Sequence, residues 1–191
     1  MITTASLFLL HTILGLFILA LMLRFYLQLT RAPFQNPACQ AIVVLTNFAV
    51  RPLRRVIPSW GNIDLSTLLL AYLSQLLLEV ASLWLKDFPL FVAGNPVLLA
   101  LLGLAAINLL KLSIYIFMYS VVIQAVLSWI NAYTPVTPVL DALTRPVLQP
   151  VRRYLPTASG IDFSPLVVIV IAQLLLIILI APLEQHFLRL F

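Results

Sequence analysis

Four apolar runs divide the chain, and most of the polar positions lie in the segments between them. The runs cover residues 7–29, 65–85, 97–130 and 165–183. A helix that crosses the hydrocarbon core of a bilayer needs roughly 20 residues, so every run is long enough for one crossing. The pattern therefore predicts an all-α membrane protein with four transmembrane helices.

The third run is longer than a single crossing requires. A helix of about 34 residues would be roughly 51 Å long, against a hydrocarbon core of about 30 Å. No glycine or proline lies between Asn108 and Lys111 to turn the chain there. The run therefore predicts one crossing, and residues 96–110 either extend this helix or lie in the membrane interface.

Composition and charge agree with a membrane protein and suggest its orientation. The chain is 63% hydrophobic and 9% charged, whereas soluble domains are about 25% charged. The net charge is +5, but no nucleic acid partner is expected, because the basic residues flank apolar runs. By the positive-inside rule the two arginine-rich loops are cytoplasmic and both termini lie outside. The loop arginines are Arg24, Arg31, Arg51, Arg54, Arg55, Arg145, Arg152 and Arg153.

The two arginine-rich loops contain the same motif. Residues 51–66 are RPLRRVIPSWGNIDLS, and residues 149–164, which lie 98 positions later, are QPVRRYLPTASGIDFS. The Arg-Arg pair, the proline, the aspartate and the serine match in register, and so do Gln75 and Gln173 in the following runs. We therefore predict two tandem helix-loop-helix repeats, residues 1–90 and 91–191. Each repeat has an even number of crossings, so the repeats are parallel and related by an axis along the membrane normal.

An amphipathic segment precedes each motif. The segments are ACQAIVVLTNFAV and PVLDALTRPVLQP, and both place apolar residues beside polar ones. Such segments are typical of helices that lie in the membrane interface. We expect one short interfacial amphipathic helix in each cytoplasmic loop.

The repeated motif resembles that of the YggT family, also called YggT/YlmG, in its two-repeat form. The shared pattern is P-[LV]-R-R-x-[IL]-P-x-x-x-x-I-D-x-S, followed directly by a membrane helix, although Thr67 stands where the second copy has Pro165. The resemblance implies a multi-pass, non-enzymatic protein of the bacterial inner membrane, in which the termini that the charge pattern places outside would be periplasmic. It implies a role in organising or assembling membrane protein complexes or the division and nucleoid machinery. The alternative is a small ion transporter or channel component in osmotic-stress tolerance, with potassium uptake proposed.

The paired arginines Arg54, Arg55, Arg152 and Arg153 are the candidate docking residues. They can hold the loops inside the cell and bind anionic lipid phosphates of the inner leaflet, at about 1 kcal/mol each. They can also dock a membrane protein partner or a second copy of the chain. The exclusive use of arginine favours docking, because the planar guanidinium fits phosphate and carboxylate groups.

The aspartate and serine of each motif are candidate helix caps. Ser66 and Ser164 are predicted as N-cap residues, with Asp64 and Asp162 pairing with arginine and complementing the positive helix end. The alternative for the two aspartates is the handling of protons or cations.

Four polar residues inside the apolar runs are candidate functional residues: Gln75, Gln173, Glu79 and Lys111. Each glutamine lies nine residues beyond its serine, so it reaches roughly 14 Å into the membrane. The glutamines are expected to join helices, with Gln75 bonded to Gln173, or to line a permeation path. Glu79 and Lys111 are predicted to pair, the alternative being that Lys111 extends to the outer surface.

Catalytic, metal and cofactor motifs are not visible. Cys39 is the single cysteine, so it cannot form an intramolecular disulfide, and neither histidine is close to it in sequence. The sequence has no Gly-rich phosphate loop, Cys/His cluster or Ser-His-Asp arrangement. We therefore expect no enzyme activity, no cofactor and no bound metal.

Overall fold

The computed structural model describes residues 1–89, 94–130, 134–154 and 162–190, and these form six helices. The sixth has a π-helical segment, Leu176–Ile180, between its α-helical parts, Ser164–Leu175 and Ala181–Leu188. Within the described residues there is no β-strand beyond an isolated bridge between Trp60 and Ile63. The helices are α1 Ile2–Leu29, α2 Pro37–Arg54, α3 Leu65–Leu85, α4 Gly94–Trp129, α5 Thr137–Tyr154 and α6 Ser164–Leu188.

Four of these helices, α1, α3, α4 and α6, are long and apolar enough to cross a membrane. This confirms the predicted all-α membrane protein with four transmembrane helices. The third apolar run forms one continuous helix, so residues 96–110 extend α4. The extension follows from sequence, because leucine and alanine dominate this stretch and its one proline, Pro96, lies in the first turn of the helix, where proline is tolerated.

The two shorter helices are amphipathic, and each follows one membrane-spanning helix. Asn36 begins α2: its side-chain oxygen accepts a hydrogen bond from the backbone N–H of Ala38 at 3.0 Å, and Pro37 occupies the first turn. These residue types favour a helix start. One face of α2 buries Cys39, Thr46 and Val50 against the bundle, while the opposite face is exposed.

The membrane-spanning helices pack in the order α1, α3, α4 and α6. The central core joins both halves of the chain. A second cluster, Leu27, Cys39 and Val139, brings α2 and α5 together at one end of the bundle. We refer to the end formed by α2, α5 and the segment between α2 and α3 as the arginine-rich end. The core residues are Ile18, Leu21, Met22, Val50, Ala71, Leu78, Leu109, Ile116 and Leu143.

At the opposite end, α4 and α6 approach each other closely. A Cβ atom added at Gly103 would overlap the ring of Phe187. Ile107 packs with Leu176 and Ile180 of the π-helical segment. Glycine at position 103 therefore lets the end of α6 lie directly against α4.

Candidate functional site

The buried Asp64 organises the first copy of the repeated motif. Its Oδ1 atom accepts hydrogen bonds from the Thr67 backbone N–H at 3.2 Å and from the Ser66 hydroxyl at 2.6 Å. Its Oδ2 atom accepts from the Thr67 hydroxyl at 2.5 Å and forms an ion pair with Arg54. The side chain is 0% exposed. The aspartate therefore caps α3 and ties the end of α2 to the start of α3.

The protonation state of Asp64 follows from these contacts. Burial favours the neutral carboxyl group, but hydrogen bonds from Arg54, Ser66 and Thr67 outweigh it and lower the pKa of Asp64 to about 2. The carboxylate is therefore ionised at neutral pH. Its oxygens are occupied by donors of the protein itself, so the geometry fits a structural role.

Asp162 makes a weaker version of the same arrangement in the second copy. It pairs with Arg152 at 2.8 Å and accepts the Ser164 backbone N–H at 2.9 Å. Burial opposes ionisation here too, but hydrogen bonds from Ser164 and Arg152 lower the pKa of Asp162. Its side chain is 33% exposed, and Pro165 replaces Thr67, so two donors are missing. Residues 155–161, the centre of this motif, lie outside the described residues.

The predicted serine N-caps are wrong. The N-cap residue of α3 is Asp64, and Ser66 lies within the first turn. α6 begins at Ser164 itself, after Phe163 at the N-cap position. The aspartates have the longer side chains and accept the first-turn N–H groups from outside the helix, and the Ser66 hydroxyl donates to Asp64.

The arginine pairs divide their roles. Arg54 and Arg152, the first of each pair, are held by Asp64 and Asp162. Arg54 also donates to Gln28 at 2.8 Å. In α5 and the α2 segment, four other arginines are exposed and form no ion pair with any residue that the structure describes. Two belong to the α2 segment and two to α5: Arg51, Arg55, Arg145 and Arg153.

Each amphipathic helix is joined to its neighbour by a buried polar contact. The guanidinium of Arg24 in α1 is buried and donates to the Thr46 hydroxyl at 2.8 Å. In the second half, the Thr144 hydroxyl donates to Gln124 of α4. Sequence reasoning counted Arg24 among the loop arginines, whereas it lies within α1, and it did not single out Thr46, Thr144 or Gln124. The available signal was the match of Thr46 with Thr144 in the repeat, because a polar residue retained at equivalent positions has a reason to be polar.

Two shallow recesses lie on the outer faces of these helices. One, of about 540 Å³, is on α2, and the other, of about 360 Å³, is between α4 and α5. The first is lined by Asn47, Phe48, Arg51, Pro52 and Arg55. The second is lined by Gln124, Asp141, Thr144, Arg145, Gln149 and Arg152.

Three of the four predicted intramembrane polar residues, Gln75, Glu79 and Lys111, lie in two separate groups. Glu79 Oε1 accepts hydrogen bonds from Gln75 at 2.9 Å and from Asn108 of α4 at 2.7 Å. Lys111 forms an ion pair with Glu184 of α6 at 2.8 Å. The predicted pair of Glu79 and Lys111 is therefore wrong. The reason is that α4 packs against both α3 and α6. Asn108 contacts α3, whereas Lys111 contacts α6.

The predicted contact between Gln75 and Gln173 is also wrong. Gln173 donates instead to the sulfur of Met118 in α4, at 3.4 Å. The reason is topological, since α3 and α6 each pack on α4. The two glutamines keep equivalent positions in their repeats without meeting.

The described part of the chain does not support a metal site or a reactive thiol. There, no three His, Cys, Asp or Glu side chains are grouped in a way that could hold a metal ion. Cys39 is buried between α2 and its neighbours, and burial raises the pKa of its thiol. A buried thiol with a raised pKa behaves as a small apolar side chain.

The family model described as CCB3/YggT matches residues 3–85 and 103–183. The chain belongs to the CCB3/YggT family. A Pseudomonas aeruginosa protein is 36% identical over 167 residues, which cover 86% of this chain and 83% of that relative. YggT of Escherichia coli strain K12 is 34% identical with the same coverage. A Vibrio alginolyticus protein is 37% identical over 166 residues, covering 85% of this chain and 86% of the relative.

The family match follows the internal duplication. Its first part contains α1, α2 and α3, and its second part contains most of α4, all of α5 and most of α6. Each part therefore includes one Arg-Asp pair of the CCB3/YggT motif. No solved structure matches the chain closely enough for comparison.

Proposed function

We propose that this protein is a non-enzymatic component of the bacterial inner membrane that organises or assembles other membrane proteins through its arginine-rich end. The supporting observation is the set of four exposed arginines without an acidic partner in the described residues: Arg51, Arg55, Arg145 and Arg153. Arginine presents a rigid fork of donors that fits carboxylates and phosphates. Exposed and unpaired, these four side chains are available to another molecule.

These four arginines do not take part in the contacts that hold the fold together. The contacts that fix the helices at this end use Arg24, Arg54 and Arg152, each of which has a partner within the protein. The exposed arginines lie on the outer sides of α2 and α5, away from the packed core. A membrane protein with an acidic segment near the bilayer surface is therefore the partner that this end fits best.

The orientation belongs to the same proposal. Arginine-rich segments next to membrane helices are retained in the cytoplasm, so α2 and α5 face the cytoplasm and both termini are periplasmic. A periplasm-dependent reporter should be active when fused after α6 and inactive when inserted near Trp60. The reverse result would place the arginine-rich end on the wrong side for a cytoplasmic partner.

The partner can be tested by crosslinking in cells and quantitative purification of the full-length protein. A variant with Arg51, Arg55, Arg145 and Arg153 changed to glutamine should lose its specific partners by roughly tenfold or more, because each charge-assisted contact contributes about 1 kcal/mol or more. The control variant, Lys86→Gln with Arg189→Gln, removes exposed charges at the opposite end and should retain them. Equal recovery from all three proteins would contradict the proposal.

Transport is the second candidate function, and the group around Glu79 favours it. An ionisable side chain within a membrane-spanning helix is costly and often functional. Glu79→Gln keeps an acceptor for Gln75 and Asn108 but removes the charge. If purified protein in liposomes conducts ions and Glu79→Gln abolishes the flux, transport becomes the better account. Absence of flux in the unchanged protein would exclude it.

A further inference from the structure

The outward face of α2 combines exposed apolar side chains with two arginines. Val44, Leu45 and Phe48 are 73%, 63% and 74% exposed. Arg51 and Arg55 follow at the helical spacing of one turn, so they extend the same side of the segment. A soluble surface would not present three large apolar residues in this way, and an interfacial helix would.

The recess on α2 has one basic wall and one apolar wall. Arg51, Arg55 and Asn47 supply the polar groups, and Phe48 supplies the apolar surface. The Phe48 ring packs against Phe17 of the membrane-spanning α1, with ring centroids 5.5 Å apart. The apolar wall therefore continues from the recess onto the side of α1.

We propose that this recess binds the headgroup of one anionic phospholipid. Arg51 and Arg55 bind the phosphate, and an acyl chain lies along Phe48 and α1. The charge of the two arginines is complementary to the phosphate. The apolar wall selects a lipid over a soluble anion, because a free phosphate would gain nothing from Phe48. The inference rests on the proposed function only in placing the arginine-rich end at the membrane surface.

The second repeat lacks this combination at the equivalent positions. Pro146 replaces Phe48, Gln149 replaces Arg51 and Asp141 replaces Val43. Asp141 also brings a negative charge to the recess on α5. The lipid site therefore belongs to the first repeat, and α5 provides a matched control within the same molecule.

Native mass spectrometry of the full-length protein in detergent can test the site. The probes are dioleoyl phosphatidylglycerol, which is anionic, and dioleoyl phosphatidylcholine, which has no net charge. Arg51→Gln with Arg55→Gln should weaken the first phosphatidylglycerol site roughly 25-fold, since each arginine contributes about fivefold. The control, Arg145→Gln with Arg153→Gln, should change it less than about twofold. Phe48→Ala should weaken it by several-fold while leaving both arginines in place.

Four results would overturn the proposal. The first is that the unchanged protein shows no preference for phosphatidylglycerol, and the second is that the two double glutamine variants lose equal lipid affinity. The third is that inorganic phosphate at equal concentration displaces the lipid. The fourth is that the Arg51 and Arg55 variant still binds the lipid but loses its protein partner. Melting temperatures of the variants establish that they are folded. A second variant, Arg51→Lys with Arg55→Lys, keeps the positive charges but removes the planar guanidinium groups, and it should still bind phosphatidylglycerol more weakly than the unchanged protein. A negative lipid result leaves the partner-capture experiment unaffected, because that experiment measures recovered proteins and also changes Arg145 and Arg153 of α5, so the two proposals fail separately.

Discussion

The two repeats share their internal contacts and differ on their outer faces. The ion pair of Arg54 with Asp64 recurs as Arg152 with Asp162, and a buried polar contact involving Thr46 recurs at Thr144. In contrast, α2 exposes Val44, Leu45 and Phe48, whereas α5 exposes mainly charged, amide and proline side chains at the equivalent surface. Contacts that fix the repeat are retained, and surfaces that meet other molecules diverge.

The membrane interior shows the same contrast. Gln75 and Gln173 are equivalent, but Glu79 corresponds to Ile177, so the first repeat has a carboxylate where the second has an apolar side chain. Glu79 bonds to Gln75 and Asn108, whereas Ile177 is 64% exposed on the outside of α6. A polar group is thus present only where the neighbouring helix supplies partners for it.

Exchanging these two residues should have the largest effect. Ile177→Glu would place a carboxylate on the exposed side of a membrane helix without partners, at a cost of roughly 2.5–3.5 kcal/mol. Glu79→Ile removes an acceptor of two hydrogen bonds at roughly 0.6 kcal/mol each, so it should cost about 1 kcal/mol. Thermal unfolding in detergent and insertion assays measure both. Equal costs would show that the two environments are alike.

Removing the capping aspartates should separate the two motif copies. Asp64→Ala leaves Arg54 unpaired and removes the cap of α3, at a cost of about 2 kcal/mol. Asp162→Ala should cost less than about 1 kcal/mol, because the partly exposed Asp162 has fewer donors. Melting temperatures of the two variants in the same detergent provide the comparison. A larger loss for Asp162→Ala would contradict the geometry.

Acid should reduce the contribution of Asp64 in a defined pH range. Its pKa is lowered from 3.8 to about 2 in the folded protein, so its stabilisation is complete above the ordinary value and is lost as the pH falls through about 2. The stability difference between the unchanged protein and Asp64→Asn should therefore shrink between pH 4 and pH 2, about the range of the shift. A pH-independent difference, measured by denaturation at several pH values, would mean that the charge is not involved.

The ion pair of Lys111 with Glu184 should have the smallest effect. Both side chains are partly exposed, and exposed pairs contribute about 0.2–1 kcal/mol. A double-mutant cycle with Lys111→Met and Glu184→Gln should show coupling in this range. The matched cycle with Lys111→Met and Glu79→Gln should show none. Coupling between Lys111 and Glu79 would restore the pairing expected from sequence.

The sequence predicted the elements well because each has a local cause. Run length predicted the membrane-spanning helices, and the register of polar residues predicted the duplication. The side-chain pairs predicted between helices were wrong, because such pairs depend on which helices are in contact. Both α3 and α6 pack on α4, so Gln75 donates to Glu79 of its own helix and Glu79 accepts from Asn108 of α4, while Gln173 lies on a different helix pair.

The arginines show the same limit at the candidate site. Sequence singled out the Arg-Arg pairs as equal, yet Arg54 and Arg152 form ion pairs with aspartates, whereas Arg55 and Arg153 form none with a described residue. Arg51 and Arg145 were not singled out, although their spacing within α2 and α5 places them on the outer surface. Helical spacing could have identified these two, but the role of each aspartate required coordinates.

Photo-crosslinking in living cells at Gln149 tests most directly whether the arginine-rich end engages a partner. A crosslinkable residue there lies beside Arg145 on the exposed face of α5, and one at Trp84, exposed at the opposite end of the bundle, is the control. We expect one defined adduct at Gln149 that disappears in the Arg145→Gln and Arg153→Gln protein and is absent at Trp84. An adduct that persists without these arginines, or none at Gln149, would contradict this expectation.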